Sequence, residues 1–235
     1  MGRALAAVAC AAAAAYASPG LGAVGRLRYP GVARRLEGRG YAVALTFDDG
    51  PHPAGTPAVL AELERHGLVA TFYVVAAQAR RHPAELREVV AAGHELGLHG
   101  GPHLPHALLP PLVLERVLEG ARAEIEELAG AEVRSVRAPF GAASLASLRY
   151  AAGAGLPLVS WSRWGRDWEP RATPDAIVRR VAGGVEAGDI LLLHDSDAYS
   201  ARGSWERTVE ALPEIASRIR DAGLEAVLVR EMIDR

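Results

Sequence analysis

Residues 41–51 read Tyr41-Ala42-Val43-Ala44-Leu45-Thr46-Phe47-Asp48-Asp49-Gly50-Pro51. The run Val43–Phe47 is almost wholly apolar and does not alternate with polar residues. Such a run suits a strand buried on both faces, as in a parallel sheet or barrel. It stops abruptly at two carboxylates and a Gly-Pro turn. In parallel α/β architectures functional side chains gather at the carboxyl ends of strands. Asp48 and Asp49 stand at such an end.

Six further runs share this character: Ala70–Val75, Glu95–Leu98, Val133–Arg137, Leu156–Ser160, Ile190–His194 and Ala226–Val229. Helical patterns separate them, at Pro57–His66, Pro83–Ala92, Pro110–Ala129, Ser144–Ala152, Pro174–Glu186 and Ser204–Ala222. Several of these open on Pro, as helix starts do. Glycines at 67, 93, 130, 153, 188 and 223 follow helix ends, where a left-handed cap is wanted. The β-α alternation predicts an α/β fold. A doubly wound sheet and an incomplete (β/α) barrel of about seven parallel strands both satisfy it. No G-x-G-x-x-G follows the first strand, which argues against dinucleotide binding.

The chain has 235 residues, enough for one core. With 26 basic and 28 acidic side chains the net charge is −2, so no charge field favours nucleic acid. Every basic residue other than His is Arg, because the sequence contains no Lys. That excludes a P-loop lysine and Schiff-base chemistry. It contains no Asn either, which excludes N-glycosylation sequons and a Cys-His-Asn triad. The single Cys10 forms neither an internal disulfide nor a cysteine-based zinc site. A metal must therefore be held by His and carboxylate. Of the eight His, four (94, 99, 103 and 106) lie between Gly93 and His106.

Residues 1–40 read as a separate segment ahead of a catalytic domain at 41–235. Ala4–Ala17 is a run of 14 apolar residues, shorter than a membrane span and the length of a signal-peptide core. Ala15-Tyr16-Ala17 has the small-x-small form of a cleavage site. The expectation is a signal peptide or an uncleaved anchor, hence a secreted or membrane-anchored protein at the outer face of the cell envelope. Ser18–Gly40, rich in Gly and Arg, reads as a linker.

The residues following the strands assemble a site. After the first strand come Asp48 and Asp49, and after the third come His99 and His103. Arg137-Ala138-Pro139-Phe140-Gly141 closes the fourth, Trp161 through Asp167-Trp168 follows the fifth, and His194-Asp195 ends the sixth. Zinc accepts two His and one carboxylate with a position left for water. His99, His103 and one of the two aspartates make that set, with the other aspartate free to act as base. Pro102 is expected to open a helix that turns His103 back toward His99. Hydrolysis of an amide also needs a proton donor, and His194 is the strand-end His left for it. Arg137 would hold the basic carboxylate ionised, and Asp167 would hold His194 protonated. The metal and a backbone N–H near Phe140 would receive the oxyanion.

Together these residues resemble the NodB-homology polysaccharide deacetylases, carbohydrate esterase family 4. The resemblance runs from about Val43 to the C-terminus, and Thr46-Phe47-Asp48-Asp49-Gly50-Pro51 matches the family's first motif in full. It implies a distorted (β/α) barrel, with Asp48 as base and Asp49 as metal ligand. It maps the second motif onto His99 and His103, the third onto Arg137, Pro139 and Gly141, the fourth onto Asp167-Trp168, and the fifth onto Leu191 and His194. Phe140, Trp168 and Leu191 are then the substrate-binding candidates. Three positions depart from the family pattern: Gly100 replaces Ser or Thr, Phe140 stands where Tyr is common, and Trp164 where an acidic residue is often seen. His94 and His106 are read as structural.

The implied activity is metal-dependent removal of acetyl groups, from amide nitrogen or from O-acetyl esters, on a polysaccharide or amino sugar of the cell envelope. One divalent ion, zinc, is the expected cofactor, a carbohydrate the expected partner, and a monomer the expected state. Two other readings use the same residues. One is a non-catalytic carbohydrate-binding barrel, in which His194 would be dispensable. The other is a deformylase or amidase of a small lipid-linked amino sugar, which only a substrate panel separates.

Overall fold

The computed structural model describes residues 2–22, 29–35 and 40–233. Its strands are β1 (Val32–Ala33), β2 (Ala42–Asp48), β3 (Thr71–Val74), β4 (Glu95–Leu98), β5 (Val133–Val136), β6 (Leu158–Val159), β7 (Arg163–Trp164), β8 (Ile190–His194) and β9 (Glu225–Val227). They form one curled sheet in the order β1-β6-β5-β4-β3-β2-β8-β7, with β9 added against β2. Every ladder between strands is parallel. The expected parallel α/β barrel is therefore present in open form, with β1 and β7 as its edges. A lone antiparallel bridge between Arg35 and Asp189 links the chain beyond β1 to the foot of β8.

Alternation along the strands explains why their sequences are apolar throughout. Val43, Leu45, Phe47, Leu191 and Leu193 face the larger core, where the helices pack. Ala42, Ala44, Ile190 and Leu192 face the inside of the curl, with Tyr73 and Trp161. The helices are α1 (Gly2–Ala17), α2 (Gly55–His66), α3 (Ala76–Arg81), α4 (Pro83–Ala91), α5 (Pro111–Ala129), α6 (Leu145–Gly153), α7 (Pro174–Val181), α8 (Ser204–Asp221) and α9 (Val229–Ile233). Their ends follow sequence chemistry. Ser144 and Ser147 form a reciprocal capping box at α6, and Thr173 Oγ1 accepts from Ala176 N at α7. Gly67 and Gly130 close α2 and α5 in left-handed conformation.

The linker expectation for Ser18–Gly40 needs correction over its described part. Ser18–Gly22 is a 3-10 turn, and Val32–Ala33 pair with Leu158–Val159 as an edge strand. The barrel thus begins before residue 41; residues 23–28 and 36–39 lie outside the described ones. The end of α1 packs on the barrel too, with Tyr16 Oη donating to Leu109 O at 2.7 Å. Among the described residues no helix is long and apolar enough to cross a membrane.

Candidate active site

Seven of the strand-end side chains, Asp48, Asp49, His99, His103, Arg137, Asp167 and His194, meet in one place. β2 ends on Asp48, and Asp49 follows at φ 78°, a backbone region that residues with a Cβ rarely enter. That turn gives the two neighbouring carboxylates different main partners, although His99 Nε2 lies 3.5 Å from both Asp48 Oδ2 and Asp49 Oδ1. Asp48 Oδ1 lies 2.7 Å from Arg137 Nη1, while Asp49 Oδ1 lies 3.5 Å from His99 Nε2 and 3.1 Å from His103 Nε2. All five side chains are buried at the base of a cavity of about 200 Å³ or directly beneath it.

Asp49, His99 and His103 each offer a ligand atom, and these atoms lie within 4.8 Å of one another. Asp49 Oδ1 is buried without an aligned hydrogen-bond donor. His99 Nδ1 is 2.9 Å from the Arg137 carbonyl, which can only accept. Its proton is therefore on Nδ1, and the Nε2 lone pair faces the carboxylates, the tautomer a metal ligand needs. Burial alone would raise the Asp49 pKa, but the imidazoles of His103 and His99 and the charge of His194 hold it well below the usual carboxylate range. An orphaned carboxylate oxygen facing two imidazole nitrogens fits one divalent cation.

No helix starts at Pro102. The chain from Gly101 to Pro105 is irregular and only a short 3-10 turn follows, at His106–Leu108. The return of His103 is made instead at Gly100, whose φ of 98° only glycine adopts freely.

Arg137 is completely buried. Its Nη1 donates to Thr46 Oγ1 at 2.8 Å as well as to Asp48, and its Nη2 donates to Ser160 O at 2.9 Å. The guanidinium lies 3.8 Å above the Tyr73 ring, itself fully buried. Across the cavity, His194 Nδ1 is 2.9 Å from Asp167 Oδ1, and Asp167 Oδ2 accepts from His194 N at 2.7 Å and Thr208 Oγ1 at 2.8 Å. Burial pushes the His194 pKa down. The charge and hydrogen bond of Asp167, with the charges of Asp49 and Asp48, outweigh it and push the value up to about 10. His194 is therefore an imidazolium at neutral pH.

The rim is aromatic. Trp161 stacks on Trp164 at 5.7 Å, Trp164 meets Trp168 at 5.3 Å, and Trp168 and His194 meet edge to face at 5.3 Å. Phe140, at φ 58° and 61% exposed, and Tyr199 form the other side.

Residues 36–159 match the polysaccharide deacetylase family. The chain belongs to that family. It is 40% identical over 188 residues to a chitooligosaccharide deacetylase of Sinorhizobium fredii, covering 77% of this chain and 87% of that protein. A peptidoglycan-N-acetylglucosamine deacetylase of Bacillus cereus is 34% identical over 194 residues, covering 81% and 87%. Among solved structures, the Bc1960 peptidoglycan N-acetylglucosamine deacetylase superposes with a TM-score of 0.79 at 26% identity, over 86% of this chain and 92% of that one. A family 4 carbohydrate esterase from Streptomyces lividans, solved with acetate, gives 0.72 at 28% identity, over 80% and 93%.

One assignment in this polysaccharide deacetylase needs correction. Leu191 lies fully buried on the helix-facing side of β8, so it cannot touch a substrate. Leu192, one residue on, lines the cavity, because alternate residues of a strand face opposite sides. His94 and His106 sit outside the cavity lining. Burial lowers their pKa values to about 4 and about 3, and they bond Ala70 N and Ser147 Oγ. Sequence reasoning also missed residues that arrive from remote segments. Tyr73 lies under Arg137, Thr208 supports Asp167, and Tyr199 borders the cavity. Asp195, buried behind the first motif, accepts from Thr56 Oγ1 at 2.5 Å.

Proposed function

We propose that this chain is a zinc-dependent deacetylase that hydrolyses N-acetyl groups on amino sugars of a cell-envelope polysaccharide. The observation that carries the reading is the separation of the two adjacent carboxylates. Asp49 faces His99 and His103, whereas Asp48 is held by Arg137 through Oδ1 and turns Oδ2 toward His99 at 3.5 Å, beside the metal set. The curated relatives named for chitooligosaccharide and peptidoglycan substrates support an N-acetyl sugar.

Asp49, His99 and His103 would hold the ion. When bound, a divalent ion supplies Lewis acidity to the carbonyl and lowers the pKa of water. Asp48, fixed by Arg137, takes the proton from the attacking water. His194, protonated and oriented through Nδ1 by Asp167, gives a proton to the departing sugar nitrogen. The products are acetate and a free amine. The backbone N–H of Phe140 is the chain's own candidate donor to the oxyanion. Trp161, Trp164 and Trp168 wall the cleft, exclude water and offer faces to a sugar ring. In this reading the protein acts as a monomer at the outer face of the envelope, exported or anchored through the apolar run Ala4–Ala17.

The test is acetate release from N-acetylated chito-oligosaccharides and from peptidoglycan, with an O-acetylated xylan for comparison. Release that needs zinc and is lost in both Asp48→Ala and His194→Ala supports the reading. Release that survives Asp48→Ala together with chelation overturns it. Binding of sugar with no turnover on any of the three substrates would make the chain a carbohydrate-binding barrel.

A further inference from the structure

We infer that Tyr199 is a positioning residue for the ligand His103 and sets the affinity of the metal site; this rests on the metal assignment above. His103 has no helix or strand to hold it, since it stands on the irregular stretch after β4. Its ring is held by stacking. Tyr199 lies nearly parallel to it, with centroids 4.3 Å apart and planes at 19°, and Phe140 covers it at 4.5 Å and 56°. Phe140 is largely exposed and rides on a left-handed turn. Tyr199 is the better anchored of the two.

Its anchorage reaches three parts of the molecule. The Tyr199 hydroxyl accepts from Gln78 Nε2 at 3.0 Å, and Gln78 is buried on α3. The same short helix donates Ala76 N to Gly100 O at 3.0 Å and Ala77 N to Gly101 O at 3.2 Å. α3 therefore fixes both the segment that carries His103 and the ring that packs on it. The loop bearing Tyr199 is pinned as well. His52 Nδ1 accepts from Gly55 N at 2.9 Å, so its Nε2 carries the proton toward Asp197 Oδ1 at 3.2 Å. Asp197 Oδ2 accepts from Gly203 N at 2.7 Å, and Ala201 N donates to Trp168 O at 3.2 Å. Ligand orientation by surrounding groups commonly changes metal affinity 10–100-fold. Here an aromatic face does what a hydrogen-bonding carboxylate often does for a ligand imidazole.

The experiment measures zinc affinity by competition with a chromophoric chelator on the full chain, and records the visible absorption of the cobalt-substituted protein. Tyr199→Leu is expected to weaken zinc at least tenfold and to shift the cobalt bands. Tyr199→Phe keeps the stacking face but loses the bond from Gln78, so it should weaken zinc only about threefold and shift the cobalt bands less than Tyr199→Leu does. Gln78→Met cuts the same bond from the other side and should match Tyr199→Phe, which keeps the inference testable if Tyr199→Leu does not fold. Parent-like affinity and spectrum in folded Tyr199→Leu, or in Gln78→Met should the first variant not fold, overturn the role of Tyr199 while leaving the deacetylase reading intact. Failure of the parent itself to bind zinc or cobalt overturns both.

Discussion

Arg137 and Asp48 form a buried ion pair, with Nη1 and Oδ1 2.7 Å apart and neither side chain more than 4% exposed. The pair is tied to the sheet through Thr46 and Ser160 and lies on the Tyr73 ring. Breaking such a pair from one side leaves a buried charge unmatched, at a cost of about 3–5 kcal/mol. Arg137→Met is therefore expected to lower stability by about that amount in urea unfolding, and Asp48→Asn by a similar amount. The double variant should lose less than the sum. An additive result would show that the two residues are not coupled.

Removal of the proton donor should leave binding nearly intact. His194→Gln is expected to reduce kcat by about 10²–10⁴-fold with little change in KM, the range of general acid catalysis. Steady-state kinetics on an N-acetylated oligosaccharide check this.

Asp167→Asn tests how His194 stays protonated. Against burial, the Asp167 charge and hydrogen bond push the parent's donor up toward 10, so its alkaline loss of kcat is expected well above neutrality. Taking away the Asp167 charge moves this limb toward neutrality. The stability linkage has the same origin. The folded pKa exceeds the ordinary value of about 6.5. The contribution is therefore complete below that pH and is lost as pH rises toward 10. The variant should show a flatter dependence of Tm on pH above neutrality.

Asp195 makes the opposite demand on its surroundings. Burial, opposed by the Thr56 bond and reinforced by the Asp49 charge, pushes its pKa up to about 7. The folded state thus holds a proton that the unfolded chain releases near pH 4. The contribution of Asp195 to stability should fall as pH rises from about 4 to 7. Asp195→Asn, which keeps an acceptor for Thr56, removes that loss, so its Tm should match the parent's at pH 4 and exceed it at pH 8. A parent Tm at least as high at pH 8 would contradict the assignment.

Metal should stabilise the fold by mass action. Zinc at a thousand times its Kd adds about 4 kcal/mol, visible as a rise in Tm that a chelator reverses. His99→Gln and Asp49→Asn are expected to abolish the rise, while Asp48→Asn should retain most of it. Calorimetric scans with and without zinc distinguish these outcomes.

Much of the architecture was legible because its strands are apolar on both faces and each ends on a residue with distinctive chemistry. β2 and β8 are the clearest cases, running into Asp48 and His194. β1 and β7 escaped because, unlike the two-residue β6, neither sits inside a longer apolar run, and Val32–Ala33 lie in a stretch whose composition reads as linker. Leu191 was misplaced by a single step of strand parity, which motif spacing does not encode. Tyr199 and Gln78 meet across 121 positions of sequence, and Arg137 meets Tyr73 through the curl of the sheet. Contacts of this kind depend on loop paths and on the bend of the sheet, and local pattern carries neither.

The two residues that govern proton traffic, Arg137 and Asp167, are both inaccessible to solvent, whereas Phe140, Trp164 and Tyr199 stand partly open at the rim. Chemistry and recognition therefore occupy different depths of one molecule. Loops bearing the rim aromatics are open to exchange by grafting, as a route to new glycan preferences, while the reactive floor beneath them is inherited unchanged.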